Sequence, residues 1–462
     1  MKKRTDVTYW IIAAVALFSW GCSGEESADP DYAIENVAIV SMADEQVQED
    51  RTILVDEGII TDIVETGAVA LPENVNRIDG NGRYIIPGLA EMHAHIPSGN
   101  EEREYIEDIL FLYLANGITT IRGMLGDELH LDLREQAANN ELESPTIYTA
   151  GPGFGGNDVD SPEHARERVR EQHEAGYDFL KIFPGLTVEE YEALAEEANE
   201  VGIEFSGHVP PSVGLAGALE AGQTTVDHLD SYVVALASDT VDMDQVEDPG
   251  VIYFGMHMTP YVDSTKITEI ARQTREAGTW NVPTQALSEH VLGVDDPESF
   301  VENPEFQYLP EEMVEDWLES QQSIRNHEAV TDELIEDYLQ LRRDIVKALH
   351  DEGAGLLLGS DAPQIFNVPG FSMHHELRYL MEAGLSPYEA LRTGTYEVAR
   401  YLDNMENAGT VEEGKVADLV MLNANPLEDI ENSSDIAGVM YRGNWLSGEE
   451  IEERLREIAD KQ

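Results

Sequence analysis

The stretch YIIPGLAEMHAH, residues 84–95, carries the strongest indication of the fold. Its apolar run has the length of a buried strand, and it ends in His93 and His95. Two side chains that are two positions apart on an extended segment point to the same face. The stretch therefore predicts a buried strand with two imidazoles side by side at its carboxyl end.

Seven later segments repeat this apolar character, and most follow a helical stretch that closes with a small residue and Gly. Gly just past a helix end supplies the left-handed cap that turns the chain back towards a strand. Such alternation predicts a parallel sheet with crossover helices, and eight units predict a closed (β/α)8 TIM barrel. The predicted strands are 84–92, 118–122, 146–150, 178–183, 203–207, 224–227, 279–283 and 355–360.

The segments on either side of the barrel have a different pattern, with short alternating apolar runs between Asp, Glu and Gly. We assign 33–86 and 408–446 to one small, discontinuous β-sandwich domain into which the barrel, 87–407, is inserted. The acidic stretch 285–331, between the seventh and eighth strands, is interpreted as a helical excursion over the barrel mouth.

The first residues have the pattern of a targeting segment. A basic start and a short apolar run lead to Gly21 and Cys22, and this run is shorter than the roughly 20 residues that span a bilayer. Residues 1–22 resemble a bacterial lipoprotein signal with a lipid on Cys22, and 23–32 form an acidic tether. We therefore expect an exported, membrane-anchored protein, periplasmic or at the cell surface. A plain secretory signal is the alternative.

The charge of the chain is extreme. Lys and Arg number 28 and Asp and Glu 92, which gives a net charge of −64. Such a field repels nucleic acid and anionic lipid, so neither is expected as a partner. Acidic residues are spread over the whole chain, which favours a surface adapted to high salt in a halophilic bacterium. The simpler alternative is solubility alone.

Side chains of the metal-ligand type cluster at the predicted strand ends. In a barrel of this kind the active site lies at the carboxyl ends of the strands. Each histidine alone has an ordinary structural explanation, but together they predict a metal site, because His and Asp are common ligands of zinc-like ions. The candidate ligands are His93, His95, Lys181, His208, His228 and Asp361.

These motifs resemble the amidohydrolase superfamily, in the branch of imidazolonepropionase, the metal-dependent prolidases and the N-acyl amino acid hydrolases. The resemblance covers about 33–445 and implies a barrel inserted in a small β-sandwich. Besides the candidate ligands, it rests on PGL at 87–89, GSDA at 359–362, HxEL at 374–377, AGLSP at 383–387 and GKxADLV at 414–420.

The resemblance also implies roles. His93, His95 and Asp361 would hold one divalent ion, with Zn²⁺ the first choice, and His208 and His228 a second. Lys181, carboxylated by carbon dioxide, would bridge both ions. A hydroxide between the metals would attack a carbonyl, with Asp361 as the proton carrier.

Two departures from the family pattern concern the substrate. After His208 the chain continues VPPSVG at 209–214, where dipeptidase-like members often have a second His and a Gly. Arg122 is followed by Gly, where an Asp often stands. Arg122 and Tyr232 are the candidate ligands of a substrate carboxylate or a polarised oxygen, although each has a structural explanation as well.

The expected function is hydrolysis of a C–N amide bond in a small molecule: a dipeptide, an N-acyl amino acid or a cyclic amide. A lactone or ester hydrolase, or a deaminase on the same fold, is the alternative among enzymes. A surface-binding lipoprotein without catalysis is the alternative from another class. The sequence leaves open the native metal and a homo-oligomeric state.

Overall fold

The computed structural model describes residues 30–242, 246 and 253–462. The predicted signal, 1–22, and most of the tether lie outside them. Two segments of the chain form one eight-stranded sheet, five of whose strands come before the barrel and three after it. These strands are β1 (Tyr32–Val40), β2 (Val47–Asp56), β3 (Ile59–Glu65), β4 (Asn76–Asp79), β5 (Tyr84–Pro87), β13 (Leu419–Leu422), β14 (Ile436–Tyr441) and β15 (Asn444–Ser447).

The order of strands in this sheet joins the two segments. It runs β15-β14-β13-β5-β1-β2-β3, with β4 also paired to β1. The central junction is antiparallel, with Leu419 opposite Pro87 and Leu422 opposite Tyr84. Apolar side chains from both segments, such as Ile39, Ile53 and Met421, share one buried core. The small β domain is therefore discontinuous in sequence and continuous in space.

The barrel wall consists of seven parallel strands and one extended segment. The strands are β6 (Leu89–Ala94), β7 (Ile118–Gly123), β8 (Thr146–Thr149), β9 (Phe179–Ile182), β10 (Glu204–Gly207), β11 (Thr225–Asp227) and β12 (Trp280–Val282). A bridge between Ala150 and Phe179 joins β8 to β9. The predicted eighth strand is not regular: it makes one bridge, from Leu356 to Asn281, yet Met92 donates to the Leu358 carbonyl and closes the ring. The fold class predicted from the sequence is confirmed.

The first predicted strand was wrong in its extent, because 84–92 is two strands and not one. Gly88 separates β5, in the small sheet, from β6, in the barrel. Its amide donates to the Asp418 carbonyl of the small domain, whereas the next amide, of Leu89, donates to the Gly117 carbonyl of the barrel. Periodicity cannot detect this change of sheet, because both halves are equally apolar.

Helices surround the barrel and cover its carboxyl end. Those that follow the strands in turn are α1 (Arg103–Ala115), α2 (Glu128–Ala138), α3 (Pro162–Ala175), α4 (Val188–Val201), α5 (Gly214–Ala221), α6 (Tyr232–Ala235), α7 (Ile267–Ala277), α8 (Gln285–Ser288), α9 (Pro297–Phe300), α10 (Glu311–Arg325), α11 (Asp332–Glu352), α12 (Phe371–Glu382), α13 (Pro387–Thr393) and α14 (Tyr396–Tyr401). A π-helical turn, Glu289–Gly293, extends α8. None of the helices in the described part of the chain combines the length and hydrophobicity that crossing a bilayer requires.

A last helix, α15 (Gly448–Ala459), follows the small domain. Its Arg454, and Lys461 just after it, donate to the buried carboxylate of Asp108 on α1, at 2.6 and 2.7 Å. Ionic contacts therefore link α15 and Lys461 to α1 of the barrel.

Candidate metal centre

The six predicted ligands come together at the carboxyl end of the barrel. The ring of His228 lies 4.6 Å from that of His93 and 4.7 Å from that of His208, measured between centroids. Lys181 Nζ is 3.3 Å from His93 Nε2. Asp361 Oδ1 lies 2.6 Å from His95 Nε2 and 3.5 Å from His93 Nε2. Five separate segments of the barrel wall thus contribute to one cluster.

Burial differs sharply across the cluster. The side chains of His93 and Lys181 are about 1% exposed, whereas those of His95 and His208 are 20% and 15% exposed. A reacting molecule therefore meets His95 and His208 first, while Lys181 lies beneath them, screened from solvent.

In three of the histidines, Nδ1 lies close to a side-chain oxygen atom of another residue. His208 Nδ1 lies 2.8 Å from Asp230 Oδ2, and His228 Nδ1 lies 2.9 Å from Thr284 Oγ1. His93 Nδ1 is 3.0 Å from Asp227 Oδ2, although that pair is not aligned as a hydrogen bond. An oxygen on the Nδ1 side is the arrangement that orients metal-binding imidazoles and leaves Nε2 as the ligand atom.

The environment favours the protonation states that bind metals. Burial, together with the charge of Lys181, lowers the pKa of His93 well below its ordinary value, and burial likewise lowers the pKa of His228. Burial also lowers the pKa of Lys181. For Asp361 burial acts in the opposite direction, but the neighbouring His93 and His95 outweigh it and lower the pKa on balance. Neutral imidazoles and an ionised carboxylate are the forms that coordinate cations.

The donor set fits divalent metal ions. The ligand atoms of His93, His95 and Asp361 lie within 4.8 Å of one another, so one ion can reach all three. His208 and His228, with ring centroids 4.7 Å apart, present a second pair of nitrogens next to them, and Lys181 Nζ lies 3.3 Å from His93 Nε2. Nitrogen and carboxylate oxygen donors in this number suit zinc-like ions.

A buried guanidinium holds the strand ends that carry these ligands. Arg342 of α11 is 1% exposed and donates to the carbonyl oxygens of His228 and Pro283, at 2.7 and 2.6 Å. The same side chain donates to Gln285 Oε1 at 3.0 Å. Gln285 begins α8, whose next amide, of Ala286, donates to the buried carboxylate of Glu376. The ends of β11 and β12 are thereby fixed relative to α11 and α12.

Arg122 lies inside the barrel and is not at the substrate's side of the site. It is 1% exposed, and its guanidinium donates to the Met92 carbonyl at 2.8 Å, to Thr225 Oγ1 at 3.2 Å and to Tyr401 at 3.1 Å. It also lies 3.5 Å from Asp227 Oδ1. Since its N–H groups all point to partners within the protein, Arg122 has a structural role next to Asp227. The expectation that Arg122 binds substrate is therefore corrected.

Tyr232 also lies away from the cluster. Its hydroxyl is 2.7 Å from Asn281 Oδ1 on β12 and 2.9 Å from Thr274 Oγ1 on α7, and the residue is 1% exposed. A phenol enclosed between a barrel strand and its covering helix cannot reach a substrate. The expectation for Tyr232 is therefore corrected, because the turn that follows His228, with left-handed backbone at Leu229 and Ser231, places the phenol against α7 and β12.

Three residues of this site were not among the candidates: Asp227, Asp230 and Thr284. Two of them stand beside His228 in sequence, which was the available signal, since carboxylates next to a ligand histidine often orient a ligand. Thr284 gave no such signal. It adopts a left-handed backbone, with φ at 47°, just before α8.

Comparison with known proteins gives relatives that match part of this chain. The match to an adenine deaminase of Ruegeria pomeroyi has 26% identity over 223 residues, 45% of this chain and 36% of that protein. The match to ochratoxinase of Aspergillus niger has 23% identity over 322 residues, 65% of this chain and 53% of that protein. The matched regions thus span between about a third and about half of the length of these relatives.

Solved structures show the same fold over nearly the whole chain. A protein described as a putative prolidase, from Bifidobacterium longum, superimposes with a TM-score of 0.66 at 22% identity, covering 92% of this chain and 98% of that one. Bottromycin amidohydrolase superimposes with a TM-score of 0.70 at 20% identity, covering 92% and 90%. The sequence profile of the amidohydrolase family matches residues 84–446. This chain therefore belongs to the amidohydrolase family.

Proposed function

We propose that this protein is a metal-dependent hydrolase that cleaves a C–N amide bond in a small molecule. The observation that carries the proposal is the convergence of four histidines, Asp361 and Lys181 in one cluster, in which Lys181 is buried and two histidines are partly exposed to solvent. Relatives named as a dipeptidase and as an amidohydrolase point in the same direction.

We propose that His93, His95 and Asp361 hold one divalent ion, that His208 and His228 hold another, and that both ions are zinc. Neutral Lys181 would add carbon dioxide at Nζ with loss of one proton, and the resulting carbamate would offer its two oxygens as ligands to the ions. Burial supports this step because it favours the neutral amine. When bound, the ions would polarise a carbonyl and lower the pKa of a water molecule.

Asp361 moves the proton in this mechanism. Its lowered pKa keeps the carboxylate ionised at neutral pH, so it can accept a proton from the attacking water. It then gives that proton to the leaving nitrogen, which departs as a neutral amine. Asp361 Oδ1 lies 2.6 Å from His95, which holds the carboxylate at the solvent-facing side of the cluster.

The test is a substrate screen at high salt, with the protein loaded with zinc or cobalt and a chelator-treated sample as control. The panel contains dipeptides, N-acyl amino acids, cyclic amides, lactones and aminated rings. We expect metal-dependent cleavage of amides, detected by release of an amine. Turnover of lactones alone would contradict the proposal, and metal binding without turnover of any compound would favour the binding lipoprotein.

A deaminase is the second candidate, favoured by the matches to adenine deaminases. The presence of Lys181 in the cluster speaks against the mononuclear form of this chemistry, which needs no bridging ligand. Release of ammonia from an aminated ring, with no cleavage of amides, would select this candidate.

A further inference from the structure

The loops around the barrel mouth hold almost no cations. The eight connections that follow the wall segments are 95–102, 124–127, 150–161, 183–187, 208–213, 228–266, 283–331 and 362–370. Their sequences contain two basic residues, Lys266 and Arg325, and many more Asp and Glu. Lys266 donates to Asp239 and the Ala237 carbonyl, at 2.6 and 2.7 Å. Arg325 lies 3.2 Å from both Asp295 and Asp332.

Arginine side chains next to these connections also donate to groups of the protein, as Arg343 does to Glu289 at 2.6 Å. Those of Arg122 and Arg342 donate to the partners described above. Arg168, from α3, donates to the carbonyl oxygens of Pro152 and Gly153, at 3.1 and 3.0 Å. A carboxylate on a substrate, beyond the reacting centre, would therefore meet connections rich in Asp and Glu, whose two basic residues already pair with carboxylates of the protein. Uncompensated like charge opposes binding.

Two phenyl rings lie close to His208, one of the two partly exposed histidines. The ring of Phe183 lies 5.5 Å from that of His208. Phe254 lies nearly parallel to His228, at 4.8 Å and 11°, and to His208, at 6.3 Å and 19°. Both rings are half-buried. These two rings, the aromatic walls, therefore lie beside His208, whose side chain is 15% exposed.

Backbone conformation and close packing constrain the positions of both phenyl rings. Phe254 has a left-handed backbone, with φ at 42°, which a bulky residue adopts only under constraint. Tyr338 donates to its carbonyl at 3.3 Å, and Arg342 in turn donates to Tyr338. The ring of Phe183 occupies space that a Cβ on Gly153 would enter, at 2.3 Å. Strained or tightly constrained aromatic residues beside a reactive centre indicate a role in binding.

Resting on the proposed function, we infer that the preferred substrate is an uncharged amide with an apolar group beside the scissile bond. This apolar group packs against Phe183 and Phe254, and no carboxylate is attached next to the scissile nitrogen. Of the expected substrate classes, the charge pattern disfavours N-acyl amino acids and dipeptides, whose leaving amine carries a carboxylate, and favours neutral or cyclic amides.

Four small amides test separately the effect of a carboxylate and the effect of an apolar group. N-acetylphenylalanine and N-acetylphenethylamine differ only in a carboxylate, as do N-acetylalanine and N-ethylacetamide. At low ionic strength we expect each uncharged compound to have a kcat/KM at least about tenfold above that of its carboxylate partner. The phenyl compounds should exceed the small ones by a similar factor. The disadvantage of the carboxylate should shrink as NaCl is added, because salt screens the acidic loops.

Variants of the two walls test the aromatic contact. Phe254→Leu and Phe183→Leu should each reduce the preference for N-acetylphenethylamine over N-ethylacetamide. Phe371→Leu is the matched control, since Phe371 stacks on Tyr308 at 5.3 Å and not on a ligand histidine. It should leave the preference unchanged.

Binding gives a readout that does not depend on turnover. Affinity is measured by calorimetry with the metal-loaded wild-type protein and the methanesulfonyl analogues of the four compounds, which cannot be cleaved as amides, and it should follow the same order. Equal or tighter binding of the carboxylates at low salt would overturn the inference while leaving amide cleavage intact. If the binding order holds and the wild-type protein cleaves no amide, the proposed function is wrong, and with it the inference that these compounds are substrates.

Discussion

At the scale of single residues, the site is a set of buried ionisable groups that lie close to one another. Lys181, His93 and Asp227 are almost fully enclosed, and Asp227 Oδ2 lies 3.0 Å from His93 Nδ1 and 3.8 Å from Lys181 Nζ. Arg122 is 3.5 Å from the other oxygen of the same carboxylate. Burying ionisable groups is costly unless they are paired or neutral, and such clusters are typical of functional sites.

Replacing Lys181 should remove metal. In Lys181→Ala we expect bound metal to fall from two equivalents per chain to one or none, because the bridging ligand is lost. Elemental analysis of the purified protein measures this, with Lys347→Ala as control, since Lys347 is a half-exposed partner of Asp351. Retention of two equivalents with full activity would refute the bridge.

Replacing Asp227 should weaken metal binding without removing a ligand. Asp227→Asn keeps the size of the side chain but loses the charge that faces His93, and such outer partners are worth about 10–100-fold in metal affinity. Competition against a chelator of known affinity measures the change. The control is Asp351→Asn, which alters a surface carboxylate. An affinity equal to that of the unmodified protein would show that Asp227 does not orient His93.

At the scale of elements, the junction between β5 and β6 connects the two domains. A Cβ on Gly88 would lie 2.0 Å from Thr119 Oγ1 and 2.8 Å from its Cβ. The turn from one sheet to the other therefore passes directly over β7, where only a glycine fits. Since β6 carries His93 and His95, the position of this junction also sets the position of the metal centre.

Gly88→Ala should destabilise the protein. We expect a loss of about 1–3 kcal/mol in the free energy of unfolding, the usual cost of overpacking a filled interior. Denaturant titration followed by circular dichroism measures it. Gly293→Ala is the control, because its added Cβ would meet only movable side-chain ends, Glu289 Oε2 at 3.2 Å and a Leu339 methyl at 3.4 Å. Equal stability of the two variants would contradict the crowding at Thr119.

At the scale of the whole molecule, the acidic charge dominates. A net charge of −64 produces mutual repulsion that opposes the compact state unless cations screen it. The screening length falls from about 10 Å at 0.1 M salt to about 3 Å at 1 M. We propose that this protein is adapted to high salt.

The stability should therefore rise with salt. We expect the Tm, followed by circular dichroism, to increase from about 0.1 M to about 1 M NaCl as the Debye length shortens. Sucrose at matched osmolality is the control, since it acts by exclusion from the surface and not by screening. A Tm that is already maximal in dilute buffer would leave the acidic surface explained by solubility alone.

We also propose that the protein is exported and anchored by a lipid on Cys22. Cys22→Ala should then move it from the membrane fraction to the soluble fraction of cells that export it, without changing its activity. Fractionation and immunodetection measure this, with Ser23→Ala as the control. Unmodified protein found wholly in the soluble fraction would instead indicate a plain secretory signal.

The sequence by itself determined the fold class and which side chains cluster at the carboxyl end of the barrel. Both follow from local patterns: helix ends marked by Gly, apolar strands, and ligand-type side chains at strand ends such as His93 and Asp361. A parallel barrel brings all such ends to one rim, so local spacing is enough to predict which side chains meet.

Only the tertiary structure decided the orientation and support of those ligands. Whether Arg122 and Tyr232 face a substrate or the protein interior depends on the side of the wall to which each side chain turns. The partners of the ligand histidines, such as Asp230 and Thr284, depend on contacts across the barrel. The same holds for the separation of β5 from β6, because apolar periodicity is identical whichever sheet a strand joins.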